Sequence, residues 1–309
     1  MTIRLGITLP QMKQFDIGSD IPAIARAAED IGYESVWVFE RVLFPTPTRQ
    51  GLYGIEGLPW PDEYRSIAEP LVSLTLAAAA TDRIQLGTSV LVAPLHVPFE
   101  LARALATLDR ASGGRVVAGL GTGWSTDEYA AQSVAPFGRR GEILDEVLDV
   151  CAAVWGPDPV SYEGTLTTVH PSEVGPKPVR PIPVYLPAMS PRAKRRLVER
   201  ADGWMPLAMG VDALAADWRA LQDLAAEQSR ERPIERAVRV NSRLQDRPYE
   251  GVDRQPFQGS VDQLVEDLAA HADAVPGEYF FDLQASSRDG AELKDQAAAL
   301  YEAVRAAGI

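Results

Sequence analysis

The 309-residue sequence predicts an α/β protein folded as a closed (β/α)8 TIM barrel. Three observations predict it. Apolar runs of strand length alternate with helix-period patterns along the chain. Eight such strand–helix units follow one another in strict order. The strand segments are nearly continuous apolar runs, the pattern of parallel strands buried on both faces and joined by crossover helices. Eight units within about 250–300 residues favour a closed barrel over the alternative, an open doubly wound sheet.

Each element has its own justification. Ile3–Leu9 reads as a buried strand. Ile21–Ile31 spaces Ile and Ala along one helix face, with Asp20 as the expected N-cap, Pro22 in the first turn and Gly32 as the stop. Ser35–Phe39 is the second strand. Residues 41–68 lack periodicity, are rich in Pro and Gly, and carry Phe44, Tyr53, Trp60 and Tyr64, the composition of a functional loop. Glu69–Ala80 is a helix, Arg83–Val92 the third strand, Phe99–Ala111 a helix closed by Gly113-Gly114, and Arg115–Leu120 the fourth strand. A long amphipathic helix spans Arg139–Trp155. Residues 156–181 are Pro-rich and break the rhythm, with a small hairpin expected over Val160–Val169. Four more units follow: Ile182–Leu186 with Pro191–Ala201, Gly203–Leu207 with Asp212–Ser229, Ala237–Leu244 with Ser260–Ala272, and Glu278–Leu283 with Ala291–Ala307. The expected organisation is one barrel domain over 1–309, with insertions at 41–68 and 156–181.

Composition narrows the function by exclusion. Thirty basic residues against 43 acidic ones give a net charge of −13, which argues against nucleic acid or an anionic membrane as partner and leaves a small-molecule substrate. Cys151 is the single cysteine, so no intrachain disulfide can form, and a reducing, cytoplasmic setting is expected. The three histidines, His96, His170 and His271, are scattered, and no metal site of ordinary spacing is expected. No apolar run is long enough to span a bilayer. The N-terminal Met1-Thr-Ile-Arg-Leu-Gly reads as a strand rather than a signal peptide.

In a barrel the active site gathers at the C-terminal strand ends. Glu40-Arg41 follows the second strand. It is either an acid/base pair at a ligand face or a plain surface ion pair. Gly87-Thr-Ser-Val90 is a small polar break in the third strand, suited to a bulge at a ligand. Gly119-Leu-Gly121-Thr-Gly123-Trp124 resembles a dinucleotide fingerprint but has Trp124 where the third glycine belongs. Its glycines serve either close approach of a flat cofactor or a tight turn. Ser190-Pro191-Arg192 opens a helix whose N-terminus could hold phosphate, with Arg192 and Lys194 adding charge; a simple Ser cap is the alternative. His96, just before Val97-Pro98, reads as turn packing. No nucleophile elbow and no P-loop is present.

Taken in order, Val38-Phe-Glu40-Arg-Val-Leu-Phe-Pro45, Leu86-Gly-Thr-Ser-Val-Leu91, Leu105-Ala-Thr-Leu-Asp-Arg-Ala-Ser-Gly-Gly-Arg115, Gly119-Leu-Gly-Thr-Gly-Trp-Ser125, Gly175-Pro-Lys-Pro178 and Ala201-Asp-Gly-Trp204 resemble the bacterial luciferase-like superfamily. The stretch after the second strand is most similar to its coenzyme F420-dependent oxidoreductase branch. The resemblance implies a barrel with the cofactor at the strand C-termini. It implies a non-prolyl cis peptide at Ser89-Val90 behind the cofactor ring. Gly121, Thr122 and Gly123 would lie beside the ring or its ribityl chain, and Ala188, Met189 and Ser190 would form the phosphate turn. The chain departs from the pattern at four places: Glu40-Arg41 replaces Asp-His, so the strand-two histidine is absent; Trp124 replaces an acid of the sugar-phosphate dehydrogenases; Pro187 and Ala188 replace glycines.

The resulting expectation is an F420-dependent oxidoreductase of an unidentified small organic substrate. Glu40 would be the acid/base or cofactor-orienting group, Arg41 would bind an anionic group, Trp124 would wall the pocket, and the 41–68 loop would close over substrate. An FMN-dependent monooxygenase using O2 and a non-catalytic flavin-binding barrel are the alternatives. The resemblance also implies a homodimer.

Overall fold

The computed structural model describes residues 3–309. Eight parallel strands form the wall: β1 (Arg4–Thr8), β2 (Ser35–Val38), β3 (Gln85–Thr88), β4 (Val116–Gly121), β5 (Val184–Leu186), β6 (Gly203–Trp204), β7 (Glu235–Asn241) and β8 (Glu278–Asp282). Each hydrogen-bonds to its sequence neighbour, and β1 pairs with β8 through Arg4↔Glu278 to Ile7↔Phe281, which closes the cylinder. The barrel expected from the alternation is the one observed, and the open sheet is excluded by that last pairing.

The helices α1 (Ile17–Ile31), α2 (Pro70–Ala80), α3 (Pro98–Ser112), α4 (Thr126–Gln132), α5 (Arg140–Trp155), α6 (Pro191–Arg200), α7 (Val211–Glu227), α8 (Val261–Ala274) and α9 (Gly290–Ala306) surround it. Their apolar stripes and the outward faces of the strands make the main core. A smaller cluster fills the barrel interior: Trp37, Val117, Tyr185, Met205, Ala237 and Phe280. Trp37 stacks on Phe280 at 4.5 Å between ring centroids. Its bulk explains the glycine in the neighbouring strand, because a Cβ at Gly87 would lie 2.2 Å from the Trp37 ring. The interior is a packed plug, so ligands are confined to the strand ends above it.

Several local expectations change. The first helix begins at Ile17, and its cap is Asp16, which accepts from the Gly18 and Ser19 N–H groups; Asp20 sits in the first turn. The helix starts a turn ahead of the position that Pro22 indicates, which moves the cap from Asp20 to Asp16. The short α4 has no counterpart in the sequence reading, since seven residues hold too little periodicity to register. The third strand is interrupted. After β3 the Ser89–Val90 peptide is cis, and the chain resumes as Leu91–Val92 paired with Leu120 and Gly121. In 156–181 the hairpin pairs Val160–Glu163 with Thr168–Ser172. Glu146 of α5 fastens its turn by accepting from the N–H groups of Thr165, Leu166 and Thr167. No helix among the described residues is long and apolar enough to cross a membrane.

Candidate active site

One cavity of about 780 Å³ opens at the C-terminal strand ends. That volume lies within the range of small-molecule and cofactor sites. The eleven residues assigned from the sequence to catalysis or cofactor binding line it: Glu40, Arg41, Ser89, Val90, Gly121, Thr122, Gly123, Trp124, Ala188, Met189 and Ser190. They come from four strand ends and are brought together by barrel closure alone.

Glu40 is buried at the end of β2. Its Oε2 accepts from the Val92 N–H at 2.6 Å, and its Oε1 lies 2.9 Å from His96 Nε2. A carboxylate can only accept, so Nε2 carries the hydrogen. Burial opposes the charged imidazole, but the hydrogen bond and charge of Glu40, with Glu69 adding to them, outweigh it. His96 therefore holds its proton above the ordinary histidine value. This corrects the reading of His96 as turn packing. The strand-two histidine is missing, and a histidine from the loop entering α3 reaches the same carboxylate. Nothing in the local pattern around His96 signalled this, because the contact spans 56 residues.

Arg41 does not pair with Glu40 through its side chain, so the simple ion-pair reading fails. Its Nε donates to the Glu40 carbonyl, and its Nη1 donates to Glu128 Oε2 at 3.1 Å. The other Glu128 oxygen accepts from the Val42 N–H at 2.9 Å, so both oxygens act as acceptors, the arrangement of a carboxylate. Burial pushes the Glu128 carboxyl up from its ordinary value, against the pull of Arg41. The Arg41 guanidinium also lies 4.9 Å above the Trp124 ring. Trp124 in turn meets Trp60 at 4.9 Å and Tyr53 at 5.9 Å, so the 41–68 loop is fastened to the end of β4 by aromatic contacts. Its indole N–H is buried without a hydrogen-bond partner.

The floor holds a cation that the sequence reading missed. Arg239 of β7 is buried; its Nη1 donates to the Ser89 carbonyl at 2.6 Å and its Nη2 to Asp282 at 2.7 Å. Asp282 also accepts from Thr8 Oγ1 at 3.0 Å. The available signal was Arg239 itself, an arginine set between Val238 and Val240 in the buried stretch Ala237–Val240.

The glycine run is accounted for by the chain's own atoms. A Cβ at Gly121 would lie 2.6 Å from Val90 Cγ2, and Gly123 has φ +62°, a conformation that suits glycine. The two residues accommodate the kinked Ser89–Val92 segment and still present backbone to the cavity.

After β5, Ser190 caps α6, its Oγ accepting from the Ala193 N–H. Pro191 has no N–H, so few backbone donors remain for an anion there. Positive side chains supply the charge. Arg140 and Arg192 line the cavity, and among the described residues neither forms an ion pair, although Arg140 Nη1 donates to the Phe137 carbonyl at 3.2 Å and its guanidinium lies 4.2 Å from that ring. Arg196 is paired with Asp145 at 2.5 Å, and Lys194 is drawn away to Asp217. The cavity thus holds two guanidinium groups without an acidic partner, on Arg140 and Arg192, as well as a bonded carboxylate and aromatic rings.

Comparison with known proteins fits this geometry. The family model for luciferase-like monooxygenases matches residues 11–304. The chain belongs to the luciferase-like monooxygenase family. It is 38% identical over 221 residues to the uncharacterised protein Rv0953c of Mycobacterium tuberculosis, covering 70% of this chain and 77% of that one. It is 27% identical over 253 residues to the F420-dependent glucose-6-phosphate dehydrogenase of Kineococcus radiotolerans, covering 80% and 71%. Among solved structures, an F420-dependent secondary alcohol dehydrogenase in complex with an F420-acetone adduct superposes with a TM-score of 0.77 over 98% of this chain and 99% of that one, at 17% identity. The superposition shows that the barrel fold is shared.

Proposed function

We propose that this luciferase-like protein is a coenzyme F420-dependent oxidoreductase acting on a small organic alcohol or carbonyl compound. The observation that carries the reading is the charge pattern of the cavity. An anionic cofactor tail fits beside Arg140, Arg192 and the Ser190-capped helix, and a reacting group fits beside Glu40. Named F420-dependent relatives in the same family support the choice of cofactor. The donor set suits such a group: two guanidinium groups without an acidic partner for the anionic tail, and a wall of Val90, Gly121, Thr122 and Gly123 for a flat ring.

When bound, the deazaflavin supplies or accepts the hydride; the chain supplies orientation and the proton. Reduction of a carbonyl requires one proton at its oxygen, and oxidation of an alcohol releases one. Glu40 stands in the cavity wall and serves as that acid or base. The Val92 N–H holds Oε2, and His96 Nε2 holds Oε1 and returns or removes the proton. His96 is partly exposed, with 17% of its side chain accessible, so the proton can pass on to solvent. Ser89, whose carbonyl is held by Arg239, keeps the floor fixed beneath the reacting atoms. Ala188, with φ +53°, and Met189 shape the turn leading to Ser190. We also propose a homodimer, in line with the family resemblance.

A titration with F420 and with FMN, each followed by its own absorbance, tests the proposal. Saturable F420 binding followed by hydride transfer to a carbonyl compound is the expected result. Tight FMN binding with no affinity for F420 would replace it with the FMN-dependent monooxygenase reading, and F420 binding with no turnover would leave a binding barrel.

A further inference from the structure

We propose that the substrate end of this cavity is built for an uncharged, apolar or aromatic alcohol or carbonyl compound, and excludes phosphorylated and carboxylated substrates. The inference rests on the cofactor reading only in assigning Arg140 and Arg192 to the cofactor's anionic tail.

The argument is one of charge cancellation. Two guanidinium groups face the end of the cavity beside Glu40, and each is already matched. Arg41 is paired with Glu128 at 3.1 Å, with 9% and 2% of the two side chains exposed. Arg239 is paired with Asp282 at 2.7 Å, with 10% and 7% exposed. The last charged pair is Glu40 with His96, whose proton the carboxylate holds, so it too is matched. An anion entering here would give up its hydration and meet no unspent cation, while facing a carboxylate. A neutral carbonyl meets no such penalty. Arg41 gives two of its five N–H groups to these protein acceptors, and a guanidinium so placed can donate to a neutral oxygen as well.

The walls agree with the charges. Phe39, Tyr53, Ile55, Tyr64, Val90 and Trp124 surround this end. Tyr53 and Ile55 are 40% and 56% exposed, so large apolar side chains at the mouth would be covered by an apolar ligand. The sugar-phosphate dehydrogenases among the relatives act on a charged, hydroxyl-rich substrate by name; this chain presents a largely aromatic wall with its ions paired.

The test compares acetophenone with its near-isosteric anion benzoate, and with glucose 6-phosphate, by calorimetric titration of the F420-loaded protein and of the cofactor-free chain carrying Arg140→Gln and Arg192→Gln, which removes the two cations otherwise open to an anion. Acetophenone is expected to bind about tenfold or more tightly than benzoate, a difference of one decade in affinity. The Glu128→Gln variant, which releases the charge of Arg41, is expected to raise benzoate affinity relative to acetophenone by about tenfold. The double variant Arg41→Gln with Glu128→Gln, which removes both charges, is expected to restore the preference for acetophenone. Benzoate or glucose 6-phosphate binding as tightly as acetophenone, or no acetophenone binding at millimolar concentration, overturns the proposal. So does an unchanged ratio in a folded Glu128→Gln protein. If that variant does not fold, the comparison in the unmutated protein decides. Failure of F420 to bind would count against the cofactor reading alone, because the probe comparison is also made without cofactor.

Discussion

Glu40 Oε1 and His96 Nε2 lie 2.9 Å apart at the mouth of the barrel, joined across 56 residues of sequence. The second strand ends in the carboxylate, and the segment after Leu91–Val92 carries the imidazole back to it. The same turn places the Val92 N–H on the other carboxylate oxygen. One short stretch of chain thus fixes both oxygens of the group proposed to move the proton. Replacing Glu40 by Gln preserves shape and removes the acid/base function. Turnover is expected to fall by about 10²–10⁴, the usual contribution of a positioned acid or base, with cofactor affinity little changed. Steady-state rates and F420 titration of the variant, measured side by side, check this. An unchanged turnover number would remove Glu40 from the chemistry.

His96 gives a pH prediction whose sign follows from its raised pKa. A histidine that binds its proton more tightly when folded stabilises the fold most at pH below its ordinary value of about 6.5, and loses that contribution as pH rises through the higher folded value. The His96→Gln variant should therefore be destabilised relative to the unmutated protein at pH 6, by about 1.5–3 kcal/mol for a hydrogen bond to a charged group. The gap should narrow toward pH 9. Denaturant unfolding at the two pH values reads the difference. A gap that is constant with pH would mean that His96 is held for packing alone.

The barrel was legible because its signal is repeated: eight apolar runs, each followed by a helical stripe, leave few other ways to bury both faces of every strand. The cavity lining was legible for a related reason. Once the strand ends are located, barrel closure brings Glu40, Ser89, Gly121 and Ala188 to one rim whatever their sequence separation. Partnerships were not legible. Arg41 selects Glu128, from a seven-residue helix too short to show periodicity, and Glu40 selects His96. Arg239 and Asp282 sit on adjacent strands at positions where only three-dimensional register makes them neighbours. Such choices depend on side-chain direction at long range, which a linear pattern does not encode. Asp16 is a different case: its role as cap is local, and the more conspicuous Asp20 and Pro22 outweigh it in the linear pattern.

Asp282 should be the costliest floor residue to remove. Its carboxylate neutralises Arg239, whose own charge survives burial because Asp282 stands against it. Asp282→Ala leaves a buried guanidinium with no counter-ion, and breaking one partner of such a pair costs about 3–5 kcal/mol. Chemical denaturation is the measurement. A loss below about 1 kcal/mol, as for an exposed pair, would show that water reaches Arg239 and that the floor is not dry.

Arg192 should act on the cofactor and not on the fold. It is exposed and lines the cavity. Arg192→Gln is expected to weaken F420 binding by about tenfold at low salt, with the difference shrinking as added salt screens the exposed charge. Unfolding midpoints should be unchanged. Binding that is indifferent to both the substitution and the salt would place the anionic tail elsewhere.

Gly121 and Val90 offer a test of why the glycine run exists. A methyl at Gly121 would stand 2.6 Å from Val90 Cγ2, far inside contact distance, and both residues line the cavity. Gly121→Ala alone should force Val90 aside and destabilise the fold by about 1–3 kcal/mol, the cost of overpacking. It should also weaken cofactor binding, because Val90 is part of the wall proposed to carry the ring. Val90→Ala alone removes the obstacle and leaves a small void. If the glycine is there to admit Val90, the double variant recovers much of the stability lost in Gly121→Ala, with a coupling of about 0.5–3 kcal/mol between the two positions. If the glycine instead serves the approach of the ligand itself, the double variant regains stability but not F420 affinity. Unfolding and F420 titration on the four proteins of the cycle separate the two roles of one residue.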